Sequence, residues 1–264
     1  MKIHIWWRKE EDWGKVGAEK IRLSCWGGSD ISPEDASQQA FAKLDRLRRK
    51  LSGETGLFEE YEAEIREEIV QRIDERAIIT RNRYGAQVLN VVDLMIMDID
   101  KPPFSFWDIF RRRSDAADKE KIIASVRKLA PKYQGCAFRI YETCNGIRVI
   151  VLGRSFDPVS AETAAMLHEF RCDPLYAQLC RKQGCFRARL TPKPYRMRQR
   201  GHRVKLLRSE EEERSFREWL AEYEERSRRF CTCNLVEQLG GASLPEAVQA
   251  HDEISRVGSN LKLA

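Results

Sequence analysis

The run Asp93-Leu94-Met95-Ile96-Met97-Asp98-Ile99-Asp100 restricts the folds open to this chain more than any other stretch. Its apolar density predicts a strand buried on both faces of a sheet, because a half-exposed strand would alternate. Period-2 geometry puts Asp98 and Asp100 on the same face at the strand end. Two carboxylates there, close enough to share a divalent cation, are the donors that metal-assisted phosphoryl chemistry needs. The plainer alternative is a strand running out into the polar loop that begins Lys101-Pro102-Pro103. A bare Asp-x-Asp does not choose between the two, so the neighbouring elements have to.

Before this strand, residues 2–8 and 19–26 suggest two strands, and Gly27-Gly28-Ser29-Asp30 reads as a turn. Ser32 reads as the N-cap of a helix with Pro33 at its first position, and Ala36, Ala40, Leu44, Leu47 and Leu51 form its apolar stripe. A second helix is expected over Leu57 to Arg76, with Tyr61, Ile65, Ile69 and Ile73 inward. Residues 77–80 and 88–91 read as strands. Between them lies Arg81-Asn82-Arg83-Tyr84-Gly85, where two arginines beside an aromatic suit either a nucleotide phosphate or a hairpin tip.

After the central strand, Phe104, Phe106, Trp107, Phe110 and Arg111-Arg112-Arg113 fall in an expected loop, tucked against the body or available for base stacking. A helix is expected over residues 116–129. Residues 137–144 and 147–152 then form the clearest hairpin, with Asn145-Gly146 as a two-residue loop. Its register should pair Thr143 with Arg148 and Tyr141 with Ile150. One face then carries Arg139, Tyr141, Thr143 and Arg148, and is expected to lie open while the apolar face meets helices. Helices from Ser160 and Asp173-Pro174 precede a strand at residues 185–191, and helices from Glu210 and Ser243 close the chain.

The order from residue 93 to 191 is βαββαβ, so the expected class is α+β with a ferredoxin-like, RRM-like domain. This divides the chain into an N-terminal α/β segment packed on that domain (1–92), the ferredoxin-like palm-type domain (93–195), and a basic linker with C-terminal helices (196–264). The third strand should neighbour the first, placing Arg148 beside Asp98 and Asp100, with Arg187 or Arg189 near one edge. Carboxylates for cations beside arginines for phosphates make a coherent nucleoside triphosphate site.

Charge supports an anion-binding surface. From Arg181 to Arg208 there are eleven Lys or Arg and no acid, and Glu210 to Glu225 then carries eight acids. The basic block reads either as a phosphate-binding surface or as a loop paired with the acidic helix after it. No window of 18 apolar residues exists and the N-terminus is unlike a signal peptide, so a cytoplasmic protein without membrane contact is expected. The eight cysteines would then stay reduced. Neither Cys231-Thr232-Cys233 nor Cys180 with Cys185 makes a zinc signature.

Met97-Asp98-Ile99-Asp100 and Thr143-Cys144-Asn145-Gly146-Ile147-Arg148 resemble two motifs of the palm of the archaeo-eukaryotic primase (primase-polymerase) superfamily. The family usually has a histidine where this chain has Arg148, and Asp173 is the best candidate for its third acid. The resemblance implies a metal-dependent nucleotidyltransferase with Mg²⁺ or Mn²⁺ held by Asp98 and Asp100. Arg148, with Thr143, Tyr141 and Arg81, would contact the nucleotide, and Arg187, Arg189, Lys193 and Arg196 would track DNA or RNA. Two other readings stay open. One is a non-catalytic nucleic-acid-binding or regulatory protein using an open sheet face. The other is a structural protein in which Asp98 and Asp100 pair with arginines.

Overall fold

The computed structural model describes residues 1–16, 19–54, 63–102 and 114–264. Strands β1 (Trp6–Val16) and β2 (Glu19–Ser29) pair antiparallel along their whole length, and helix α1 (Pro33–Leu51) packs on them. Ser32 caps α1 as expected, its hydroxyl accepting from Asp35 N at 3.1 Å. The expected turn at Gly27-Gly28 is instead continuous strand. A Cβ on Gly27 would lie 2.0 Å from Ala36 O, so the glycine lets helix and strand touch.

The helix expected over 57–76 is also corrected. Residues 55–62 lie outside the described residues, and Glu68–Arg72 is a strand, β3. Ile65 and Ile69 do point inward, against Ile3, Ile78 and Cys185. Pairing to the next strand, with a bulge between Ile69 and Gln71, overrides the helical spacing of these isoleucines. The chain then runs β4 (Ala77–Arg81), β5 (Gln87–Val91), β6 (Ile96–Asp100), α2 (Asp115–Leu129), β7 (Ala137–Thr143), β8 (Gly146–Leu152), α3 (Ala161–Glu169), α4 (Pro174–Gln183), β9 (Phe186–Arg189), α5 (Glu210–Ser227), β10 (Phe230–Cys231), β11 (Cys233–Leu239), α6 (Glu246–Ser255) and β12 (Lys262–Leu263). The expected loop aromatics Phe104, Phe106, Trp107 and Phe110 lie outside the described residues.

The fold is mixed α+β with two four-stranded antiparallel sheets, ordered β3-β4-β5-β9 and β11-β7-β8-β6. β6 lies beside β8, with Asp98 opposite Arg148. The last strand of the βαββαβ order, β9, pairs with β5 instead of β6. The reason is local. The outer edge of β6 is already occupied, since Asp98 O accepts from Asp173 N at 3.0 Å and Ile96 O accepts from the Tyr176 hydroxyl at 2.8 Å. The start of α4 thus fills the place a fourth strand would take.

The hairpin register differs from expectation by two residues. Tyr141 pairs with Arg148 and Arg139 with Ile150, leaving Cys144-Asn145 as the loop. Gly146 is a strand residue opposite Asp100, where a Cβ would meet Ile99 O at 2.2 Å. This glycine allows close approach of two strands rather than a turn. A shift of two keeps every side chain on its expected face.

One core runs from β4 to α6, with Ile96, Met97, Val149 and Val151 fully buried in it. The apolar face of the second sheet packs under helices, Phe138 stacking on Phe170 at 5.7 Å. The polar face is not open. Helix α6 lies across it, leaving Tyr141 fully buried and Arg148 2% exposed. His251 of α6 meets the Tyr141 ring edge-on at 5.0 Å, and Asp252 accepts from the Tyr141 hydroxyl at 2.8 Å and from Arg139 at 2.5 Å. Strand β11 adds an unexpected outer strand beside β7.

Candidate active site

Where β6 ends, a pocket of about 180 Å³ collects most of the residues singled out by sequence. Asp98 and Asp100 come from β6, Thr143 and Arg148 from the hairpin, and Asp173 from the N-cap of α4. Arg189, Lys193 and Arg196 line the same pocket from β9 and the turn after it. The antiparallel packing of β6 against the β7–β8 hairpin delivers the first four. Capping of the β6 edge by residues 173–176 delivers Asp173, whose carboxylate accepts from Leu175 N at 2.9 Å.

Arg148 is fully committed. Its Nε and Nη2 donate to the two Asp98 oxygens at 2.9 and 3.4 Å, and Nη1 donates to Arg189 O at 3.0 Å and to His251 Nε2 at 3.2 Å. Arginine has no acceptor, so His251 Nε2 must accept. His251 is then the Nδ1–H tautomer, donating to Asp252 at 2.8 Å. Burial opposes the Arg148 charge, but the Asp98 carboxylate outweighs it and holds this guanidinium above its ordinary pKa. Arg148 therefore orients Asp98, and the cations left open to the pocket are others.

Those cations are Arg189, Lys193 and Arg196, which make no ion pair among the described residues. Burial, with the positive charges of Arg196 and Arg148, lowers Arg189 to about 10. Its Nε has no hydrogen-bond partner. Opposite in sign is Asp100, also without an ion pair among the described residues. Burial, followed by the negative charges of Asp98 and Asp173, raises its carboxyl above the ordinary range. The pocket thus holds a carboxylate without an ion pair, offset in part by the charges of Lys193 and Arg196, and a guanidinium whose Nε is unsatisfied.

Three of the expected site residues lie elsewhere. Tyr141 is buried under α6, its hydroxyl between Arg139 and Asp252. Arg81 donates to Gly85 O at 2.9 Å and faces Glu224 at 3.5 Å, away from the pocket. Arg187 pairs with Glu67 at 2.5 Å. Sequence reasoning passed over His251 and Asp252, since a His-Asp pair inside an amphipathic helix carries no signal of its own. A larger groove of about 470 Å³ runs between β1 and β3, and its carboxylates Glu67 and Glu68 are already paired with Arg187 and Arg208.

No protein-family model, curated protein or solved structure matches this chain. The reading of the site therefore rests on its own chemistry. Three carboxylates without thiol or imidazole at the pocket are the hard-oxygen donors that suit Mg²⁺ or Mn²⁺. Among the described residues no three His, Cys, Asp or Glu side chains are grouped so that they could hold a metal ion together. Mg²⁺ characteristically keeps several waters and is bound through one or two carboxylates plus substrate phosphates, which Asp98 and Asp100 can supply. No helix of the described residues is long and apolar enough to cross a membrane.

Proposed function

We propose that this chain is a metal-dependent nucleotidyltransferase resembling the primase-polymerases, with residues 93–195 as a ferredoxin-like palm whose last strand is diverted to β5. The observation that carries the reading is the single pocket lined by Asp98, Asp100 and Asp173 together with Arg189, Lys193 and Arg196. Asp98 and Asp100 would hold Mg²⁺ or Mn²⁺. The bound ions would activate an attacking hydroxyl and neutralise a leaving pyrophosphate. Arg148 fixes the orientation of Asp98 through its two-point contact. Arg189, Lys193 and Arg196 take the phosphate oxygens, a role sequence comparison would have given to Arg148. DNA or RNA is the polymer partner in this reading.

The test is calorimetry of nucleoside triphosphate binding with and without Mn²⁺, comparing wild type with Asp100→Asn. Asp100 is the better probe because Asp98 also supports the fold. Metal-dependent binding that Asp100→Asn abolishes supports the reading and leads to a primer-extension assay. Binding indifferent to both metal and substitution sinks it.

A second reading is favoured by the Asp98–Arg148 pair, which sits in a chain of contacts through His251, Asp252, Tyr141 and Arg139. In that reading the acids serve architecture alone. It requires Asp98→Asn to cost stability and Asp100→Asn to change nothing.

A further inference from the structure

Directly after β9 the chain enters a short 3-10 turn, Pro194–Met197, at the rim of the same pocket. The turn is anchored from below by buried Pro194 and Met197 and held by backbone bonds from Arg196 N to Lys193 O and from Gln199 N to Pro194 O. Between these anchors Tyr195 projects outward and is 66% exposed. On either side of it in sequence stand Lys193 and Arg196, both lining the pocket, each with its charge 5.9 Å from the Tyr195 ring centroid. Among the described residues neither cation has an ion-pair partner, and their contacts leave most of the Tyr195 ring facing water. Exposed rings next to phosphate-binding cations are the means by which proteins hold a nucleobase and its phosphate together.

We infer that Tyr195 is the stacking platform for the base of a nucleotide whose phosphates lie on Arg189, Lys193 and Arg196. This rests on the nucleotidyltransferase reading and extends it by assigning the part of the site that recognises the base. Stacking on a ring face is tolerant of base identity, because every base has a π-face. The platform therefore selects for a nucleoside phosphate over a bare polyphosphate without choosing among the four bases. The nucleotide can come free or as the end of a single strand, since both present the same base and phosphate.

The experiment measures equilibrium binding of inorganic tripolyphosphate, ATP and a short oligo(dA) to wild type, Tyr195→Ala, Tyr195→Phe and Lys193→Ala/Arg196→Ala. Wild type should bind ATP more tightly than tripolyphosphate. Tyr195→Ala should remove that advantage, a loss of about tenfold for ATP, while tripolyphosphate affinity stays unchanged. Tyr195→Phe should retain it, and Lys193→Ala/Arg196→Ala should weaken all three probes. An oligo(dA) loss parallel to the ATP loss assigns the platform to the strand as well, and a loss confined to ATP assigns it to the free nucleotide. Tripolyphosphate binding with an unchanged ATP affinity in Tyr195→Ala overturns the platform alone. Absence of any tripolyphosphate binding to wild type overturns both the platform and the phosphate site beneath it.

Discussion

An arginine that donates to both oxygens of a carboxylate, to a carbonyl and to an imidazole has one position open to it, and Arg148 is in that state. Removing its main partner leaves a buried charge uncompensated. Asp98→Asn is therefore expected to destabilise the fold by about 3 kcal/mol, the low end for such pairs because Asp98 is about one-third exposed. Asp100→Asn should behave differently. Its carboxylate is disfavoured by desolvation and by Asp98 and Asp173, but it is exposed at the strand end and Lys193 and Arg196 offset part of that effect, so neutralising it should leave stability nearly unchanged. Urea denaturation of the two variants checks both. Equal losses would mean that the acids are not distinguished as described. A functional site is where a residue that is costly to keep is expected to persist.

At the scale of elements, the strand, helix and hairpin faces around Asp98 were legible because burial and period-2 alternation dictate them. The hairpin loop was misplaced because Asn-Gly is a strong turn signal, whereas at Gly146 close approach of β8 to β6 needs the glycine. Gly146→Ala should cost about 1–3 kcal/mol, read as a lowered denaturation midpoint, because its Cβ would press on Ile99 O. The cover of the polar face was not legible, since pattern shows which side of a strand is polar and not what lies on top of it. That cover makes stability pH-dependent. Burial holds His251 below its ordinary pKa of 6.5, against the pull of Asp252, while Arg148, Tyr141 and Cys233 also face it. The unfolded chain then takes up the proton first, so this contribution is complete above about pH 6.5 and lost as pH falls below it. Stability measured across that range should decline toward acid, and His251→Gln should flatten the decline.

Over the whole molecule, six of the eleven cations in the basic block fall into two distinct groups. Lys205 and Arg208 pair with Glu212 and Glu213 of α5, and Arg187 with Glu67, as a surface ion network would. Arg189, Lys193 and Arg196 turn to the pocket instead. The reading of this block as a loop paired with the acidic helix thus holds for Lys205 and Arg208, and only the three-dimensional path of the chain could set Arg189, Lys193 and Arg196 apart from them. If those three meet phosphates of a single strand, the logarithm of affinity should fall with the logarithm of salt at a slope of about −2. Lys193→Ala should reduce that slope by about 0.7. A slope near zero in wild type would remove nucleic acid from the list of partners.

The diversion of β9 has a mechanical consequence. The acidic wall of the pocket stands on one sheet and Arg189 on the other. They are joined by side chains, with Tyr176 bridging Ile96 O and Arg187 N and with Arg148 reaching Arg189 O, and not by a backbone ladder. A ladder fixes spacing by many parallel bonds, whereas a hydroxyl and a guanidinium act as pins in a hinge. The jaw width thus rests on side-chain contacts, and a ligand that grips both walls should lock it. Exchange of the Arg187 amide with solvent, slowed on binding, would register the jaw closing.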